Sequence, residues 1–127
     1  MKQVLLVFIG GGFGSVARFL IGKMLNNSTH QFPYGTFIAN VLGSLLIGFI
    51  LGWALKSEAL SQNHTLLLAT GFCGGFTTFS SFAYENHAFL KAGDFMNFGL
   101  YTIASLVVGF LAVFLGMYLV KIVASRL

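Results

Sequence analysis

Residues 71–82 read Gly71-Phe72-Cys73-Gly74-Gly75-Phe76-Thr77-Thr78-Phe79-Ser80-Ser81-Phe82, and the reading of this stretch decides the fold. It is apolar enough for a membrane interior, yet poorly built for an uninterrupted helix. Each glycine costs a helix about 1 kcal/mol against alanine, and serine and threonine hydroxyls compete for backbone hydrogen bonds. The pattern predicts a third membrane helix broken near its centre. A break at that depth is tolerated only where the freed backbone is buried in protein or lines a cavity. The carbonyl end of one half then suits a small cation, and the amide end of the other suits an anion.

Outward from this stretch the chain is apolar in both directions. Of its 127 residues, 57% are hydrophobic and 8% charged, against about 25% charged in an ordinary soluble domain. A membrane-spanning helix takes roughly 20 mostly apolar residues. Four such helices, expected at about 4–25, 34–55, 64–90 and 95–122, fill one domain over 1–127 and leave no room for a soluble catalytic unit. The fold class is all-α and integral to the membrane. Polar connections fall at 26–32, 56–63 and 91–94, and Pro33 suits the first turn of the second helix, where its missing N–H matters least. The opening Met1-Lys2-Gln3 followed by Val4 and Leu5 imitates a signal peptide. The small-residue cleavage pattern is missing, however, and the apolar run continues to about Leu25.

The net charge of +4 does not indicate a nucleic-acid partner. Lys2, Arg18, Lys23, Lys56, Lys91, Lys121 and Arg126 form no run, and most sit at helix ends where such side chains snorkel or set orientation. With four spans, Lys2, Lys56, Lys121 and Arg126 share one side of the membrane, while Lys23, Lys91 and Arg18 belong to the other. That bias is weak, so orientation is either poorly specified or used both ways. Cys73 alone makes no intrachain disulfide, and His30, His64 and His87 show no metal spacing. No nucleophile–base pair appears, so an enzyme is the least supported class.

Small residues recur at helical spacing, with Gly10, Gly14 and Gly22 around Arg18 in the first helix and Gly48 and Gly52 in the second. Tyr101, Ser105, Gly109 and Gly116 form a similar stripe in the fourth. Close helix packing in lipid accounts for most of this. The match of Gly12-Phe13-Gly14-Ser15-Val16-Ala17 to a dinucleotide fingerprint is chance, since no strand precedes it and no acid follows at the required distance. Thr36, Asn40 and Ser44 lie one turn apart on one face of the second helix. Asn40 either bonds a neighbouring helix or lines a polar path, and its two N–H donors can replace water around an anion. Arg18 lies inside the first helix, where it either snorkels or supplies positive potential to an anion. Phe79 and Phe82, three residues apart, face lipid or turn the positive edges of their rings to an anion. Glu85, one turn on, is suited to pair with a hydroxyl or a basic group.

The run from Gly71 to Glu85 closely resembles the signature of the Fluc (CrcB) fluoride channel family. The Gly35-Thr36-Phe37-Ile38-Ala39-Asn40-Val41-Leu42-Gly43-Ser44 stretch resembles a second family motif, and Gly10 to Arg18 a third. The resemblance covers essentially the whole chain and implies an antiparallel, dual-topology homodimer enclosing two fluoride pores. It implies that Asn40 donates hydrogen bonds to fluoride and that Phe79 and Phe82 present ring edges. Ser81, Thr36, Tyr101 and Glu85 become polar pore residues, and Arg18 a vestibule arginine. The backbone carbonyls of Gly74 and Thr77 are implied to hold a structural sodium ion at the dimer interface. The implied role is passive export of cytoplasmic fluoride across a bacterial inner membrane, with fluoride, sodium and lipid as partners and nucleic acid excluded.

Two rivals stand beside this. A small antiparallel multidrug transporter has similar size, but it needs a mid-membrane carboxylate to exchange protons for a cation, and the first helix offers Arg18 and no acid. A structural subunit of a larger membrane complex would use the same polar stripe only as interhelical glue.

Overall fold

The computed structural model describes residues 1–26 and 32–127. The connection expected at 26–32 falls mostly outside the described residues, and His30 lies outside them as well. Among the described residues the chain is all-helical, with α1 at Lys2–Leu25 and α2 at Tyr34–Lys56. The next helix, α3, runs from Gln62 to Phe76, with α-helical ends and π-helical turns over Leu66–Cys73. It is followed by α4 at Phe79–Lys91 and α5 at Phe95–Ser125. Four stretches are long and apolar enough to cross a membrane: α1, α2, the combined Gln62–Lys91, and α5. Helix ends extend past the apolar runs at Lys2 and Ser125, because backbone hydrogen bonding continues after the last apolar side chain.

Between α3 and α4 the backbone of Thr77 (φ −85°, ψ 156°) and Thr78 (φ −150°, ψ 119°) is extended. The glycines at 71, 74 and 75 are themselves helical, and the chain leaves the helix after them, just before Phe79. They serve packing instead. A Cβ on Gly75 would lie 2.3 Å from the Gly11 carbonyl oxygen, and one on Gly14 would lie 2.1 Å from that of Phe72. The threonines end α3 and start α4 with their own side chains. Thr77 Oγ1 donates back to the Cys73 carbonyl at 2.9 Å, while Thr78 Oγ1 accepts the Ser81 N–H at 3.2 Å as an N-cap.

Two helix pairs are joined through bare backbone. One pairs α1 with α3; the other pairs α2 with α5, where a Cβ on Gly116 or Gly48 would lie 2.3 Å from the carbonyl oxygen of Leu45 or Val113. In lipid, association rests on close packing rather than on expelling water, which favours such small residues. Many large apolar side chains accordingly point outward: Phe8, Phe13, Phe110 and Phe114 are all exposed, while polar Thr36 and Asn86 are buried. A tight turn at Gly93, whose φ of +74° suits glycine, links α4 to α5. Asp94 then caps α5 by accepting the Asn97 N–H at 3.2 Å.

This packing predicts that Gly14→Val and Gly116→Val each cost at least about 1–3 kcal/mol through forced overpacking. Gly99→Ala, where a Cβ meets nothing within 4 Å, is the control and is expected to be neutral. Melting of the detergent-purified protein measures this, and equal melting of all three would refute the seams.

Candidate functional site

The interruption between α3 and α4 is where the polar residues gather. Asn40 reaches across from α2 and pairs with Thr78 in both directions. Its Nδ2 donates to the Thr78 carbonyl at 3.1 Å, and its Oδ1 accepts the Thr78 N–H at 2.8 Å. The carboxamide therefore behaves as a missing peptide group for a segment without helical partners. Among the described residues the second Nδ2 hydrogen has no partner.

That group opens into a cavity of about 530 Å³ lined by Asn40, Ser44, Thr77, Phe79, Phe82 and Ser105, among others. Phe79 is 79% exposed on the outer face of the single chain. Its ring centroid is 5.9 Å from that of Phe82, which in turn lies 5.1 Å from that of Tyr101. Gly74 and Thr77 border the same cavity. Among the described residues Ser105 Oγ is buried without a hydrogen-bond partner. Sequence spacing assigns Ser105 to helix packing; its hydroxyl one turn after Tyr101 is the signal that could have marked it.

A second cavity, of about 630 Å³, lies towards the α1–α2 connection and is lined by Arg18, Lys23, Asn26, Thr36, Ser81 and Glu85 among others. Glu85 is fixed by two hydroxyls, accepting from Thr36 Oγ1 at 2.7 Å and from Tyr101 Oη at 3.4 Å. Its partners are hydroxyls rather than a cation. Arg18 instead directs its Nε to the Gly75 carbonyl at 3.2 Å, a contact that sequence spacing could not show. Ser81 sits one turn before Glu85 and receives a hydrogen bond from Thr78 Oγ1 at 3.3 Å. Tyr101 lines neither cavity. It is wholly buried, edge-on to Phe32 and Phe89, and donates to Glu85 of the second set. A further rung, Thr102 Oγ1 donating to Asn86 Oδ1 at 3.3 Å, ties α4 to α5 and is not evident from the sequence.

The expected site residues thus fall into two sets. Asn40, Phe79 and Phe82 share the first cavity with Gly74 and Thr77, whereas Thr36, Ser81, Glu85 and Arg18 share the second. A profile of the family described as CrcB-like protein, Camphor Resistance (CrcB), matches residues 5–117. The chain belongs to the CrcB family. Family relatives named fluoride-specific ion channel FluC align over nearly their whole length. One from Gloeothece citriformis is 54% identical over 95% of this chain and 98% of its own. One from Chlorobaculum tepidum is 48% identical over 96% and 97%, and one from Bacteroides fragilis 44% over 94% and 96%. The chain places most of its motif residues in helices long and apolar enough to cross a membrane.

Replacing Asn40 by Val leaves the Thr78 N–H and carbonyl without their partner, at about 1–3 kcal/mol for each unsatisfied group. Asn40→Val is expected to melt well below wild type in detergent, whereas Ser44→Ala melts with it. Coincident melting of all three proteins would remove Asn40 from the structure of the interruption.

Proposed function

We propose that the chain is a passive fluoride channel that works as a homodimer of oppositely inserted copies enclosing two pores, with residues of both polar sets along them. The observation that carries this reading is the first cavity. It combines a spare carboxamide N–H, an unpartnered serine hydroxyl and two neighbouring phenyl rings. Fluoride is small and holds water tightly, so a pore must offer several donors at once; hydroxyl and amide donors supply them, and ring edges add positive potential. The names of the relatives support fluoride as the permeant ion.

A second copy is called for because this cavity lies on the chain's outer face, with Phe79 and Gly74 exposed there. Antiparallel insertion is in keeping with the weak charge bias. A structural sodium ion fits the same face. The Gly74 and Thr77 carbonyls lie at the end of α3, and among the described residues no hydrogen bond is made to either. Two copies would offer four such oxygens to a hard cation, which would neutralise the meeting ends of the two half-helices. Passive transport is in keeping with Glu85, the carboxylate of the second set, being engaged by the hydroxyls of Thr36 and Tyr101. In a bacterial inner membrane such a channel lets accumulated cytoplasmic fluoride leave down its gradient.

Purified protein reconstituted alone into fluoride-loaded liposomes is expected to release fluoride, but not chloride, when read by ion-selective electrodes. Phe79→Ile is expected to slow release at least about tenfold, equivalent to roughly 1.4 kcal/mol of barrier, while the protein still assembles. Absence of release by the wild type sinks the channel and favours the subunit reading. The dimer has its own test, in which Cys73→Ala carrying Lys2→Cys is labelled in intact vesicles by an impermeant maleimide. Labelling of about half the copies from each side supports opposite insertion, and labelling from one side alone overturns it.

A further inference from the structure

We infer that Arg18 is a positioning residue for the end of α3, holding the Gly75 carbonyl and with it the backbone that turns into the interruption. A helix leaves its last carbonyls without internal partners, and α3 ends part-way along a stretch long and apolar enough to cross a membrane. Two of these carbonyls are matched by side chains. Cys73 takes the Thr77 N–H and Thr77 Oγ1, both at 2.9 Å. Gly75 takes Arg18 Nε at 3.2 Å and Ser15 Oγ at 3.4 Å. Both donors come from α1, whose Gly11 backbone presses directly on Gly75. Gly11, Ser15 and Arg18 therefore form one face: bare backbone against Gly75, then two donors to its oxygen.

The charge also has a place, since a cation beside the negative end of a helix is favoured. Arg18 bonds through Nε, however, and among the described residues its two Nη groups make no hydrogen bond, while the residue lines the cavity of about 630 Å³. One guanidinium fastens α3 and still presents donors to the mouth. Glutamine carries an N–H at the same number of bonds from Cα as arginine Nε, without the charge. Lysine carries the charge one bond further out, without a donor at the Nε position. These two substitutions separate fastening from attraction.

The flux arm of the test rests on the channel reading; the exchange arm does not. Wild type, Arg18→Gln, Arg18→Lys and Arg18→Leu are compared for fluoride efflux from liposomes and for amide hydrogen exchange over residues 72–82 in detergent. With fastening dominant, Arg18→Gln loses less efflux than Arg18→Lys and Arg18→Leu, which fall at least about tenfold below wild type, the scale of one lost charge-assisted bond. Exchange rises in the same order, with Ser15→Ala between wild type and Arg18→Lys. Efflux through Arg18→Lys equal to or above that through Arg18→Gln overturns the inference, as does unchanged exchange in Arg18→Lys. Should Arg18→Leu fail to assemble, the glutamine–lysine pair decides alone. Should wild type pass no fluoride, the channel reading falls and the exchange order still decides: Arg18→Lys above Arg18→Gln supports fastening, and any other order overturns it.

Discussion

The two-way pairing of Asn40 with Thr78 is the contact on which the site depends. A chain that leaves its helix inside a bilayer exposes peptide groups where no water can reach them, at several kcal/mol each. Asn40 answers the N–H and the carbonyl of Thr78 together. The two threonine hydroxyls deal with the neighbouring turns, one folding back to Cys73 and one capping α4. With those groups satisfied, α3 and α4 are held apart by two extended residues, and Phe79 and Phe82 are set beside a carboxamide that has one hydrogen to spare. The side chain that closes the backbone is also the one that offers a donor.

Further along α4, Glu85 has a comparable role. It draws Thr36 from α2 and Tyr101 from α5 onto one carboxylate, so three helices meet at a polar point surrounded by aromatic rings. The Asn86–Thr102 bond adds the next rung along the same helix. These links locate α4 by direction as well as distance, which apolar contact alone cannot do. Arg18 and Ser15 do the same for the end of α3 from the other side of the bundle.

The membrane helices were legible because composition alone separates this chain from a water-soluble one, and their number follows from length. The residues of the polar sets were legible for a related reason: a carboxamide, a carboxylate or a guanidinium in an apolar helix is too costly to be incidental. What the sequence did not disclose was partner choice. Glycine has two physical meanings in a membrane helix, weak helix propensity and close backbone approach. Here the second governs Gly71 and Gly75, leaving Thr77 and Thr78 to part the helices. The spacing of Arg18 placed it on the correct face of α1 but gave no sign that its target is a carbonyl of α3. Ser105 was hidden by its size, since a serine in a small-residue stripe looks like packing until its oxygen is found without a partner.

The glycine seams between α1 and α3 and between α2 and α5 divide the chain's freedom to vary. At Gly14 and Gly116 nothing larger than hydrogen fits, so the inner contacts are frozen by geometry. Phe8, Phe110, Phe114 and their neighbours project outward with few protein contacts. Adjustment to a thicker, thinner or differently composed bilayer therefore falls to those peripheral side chains. Such a chain can be re-tailored for a new lipid environment from the outside while its interior stays unaltered.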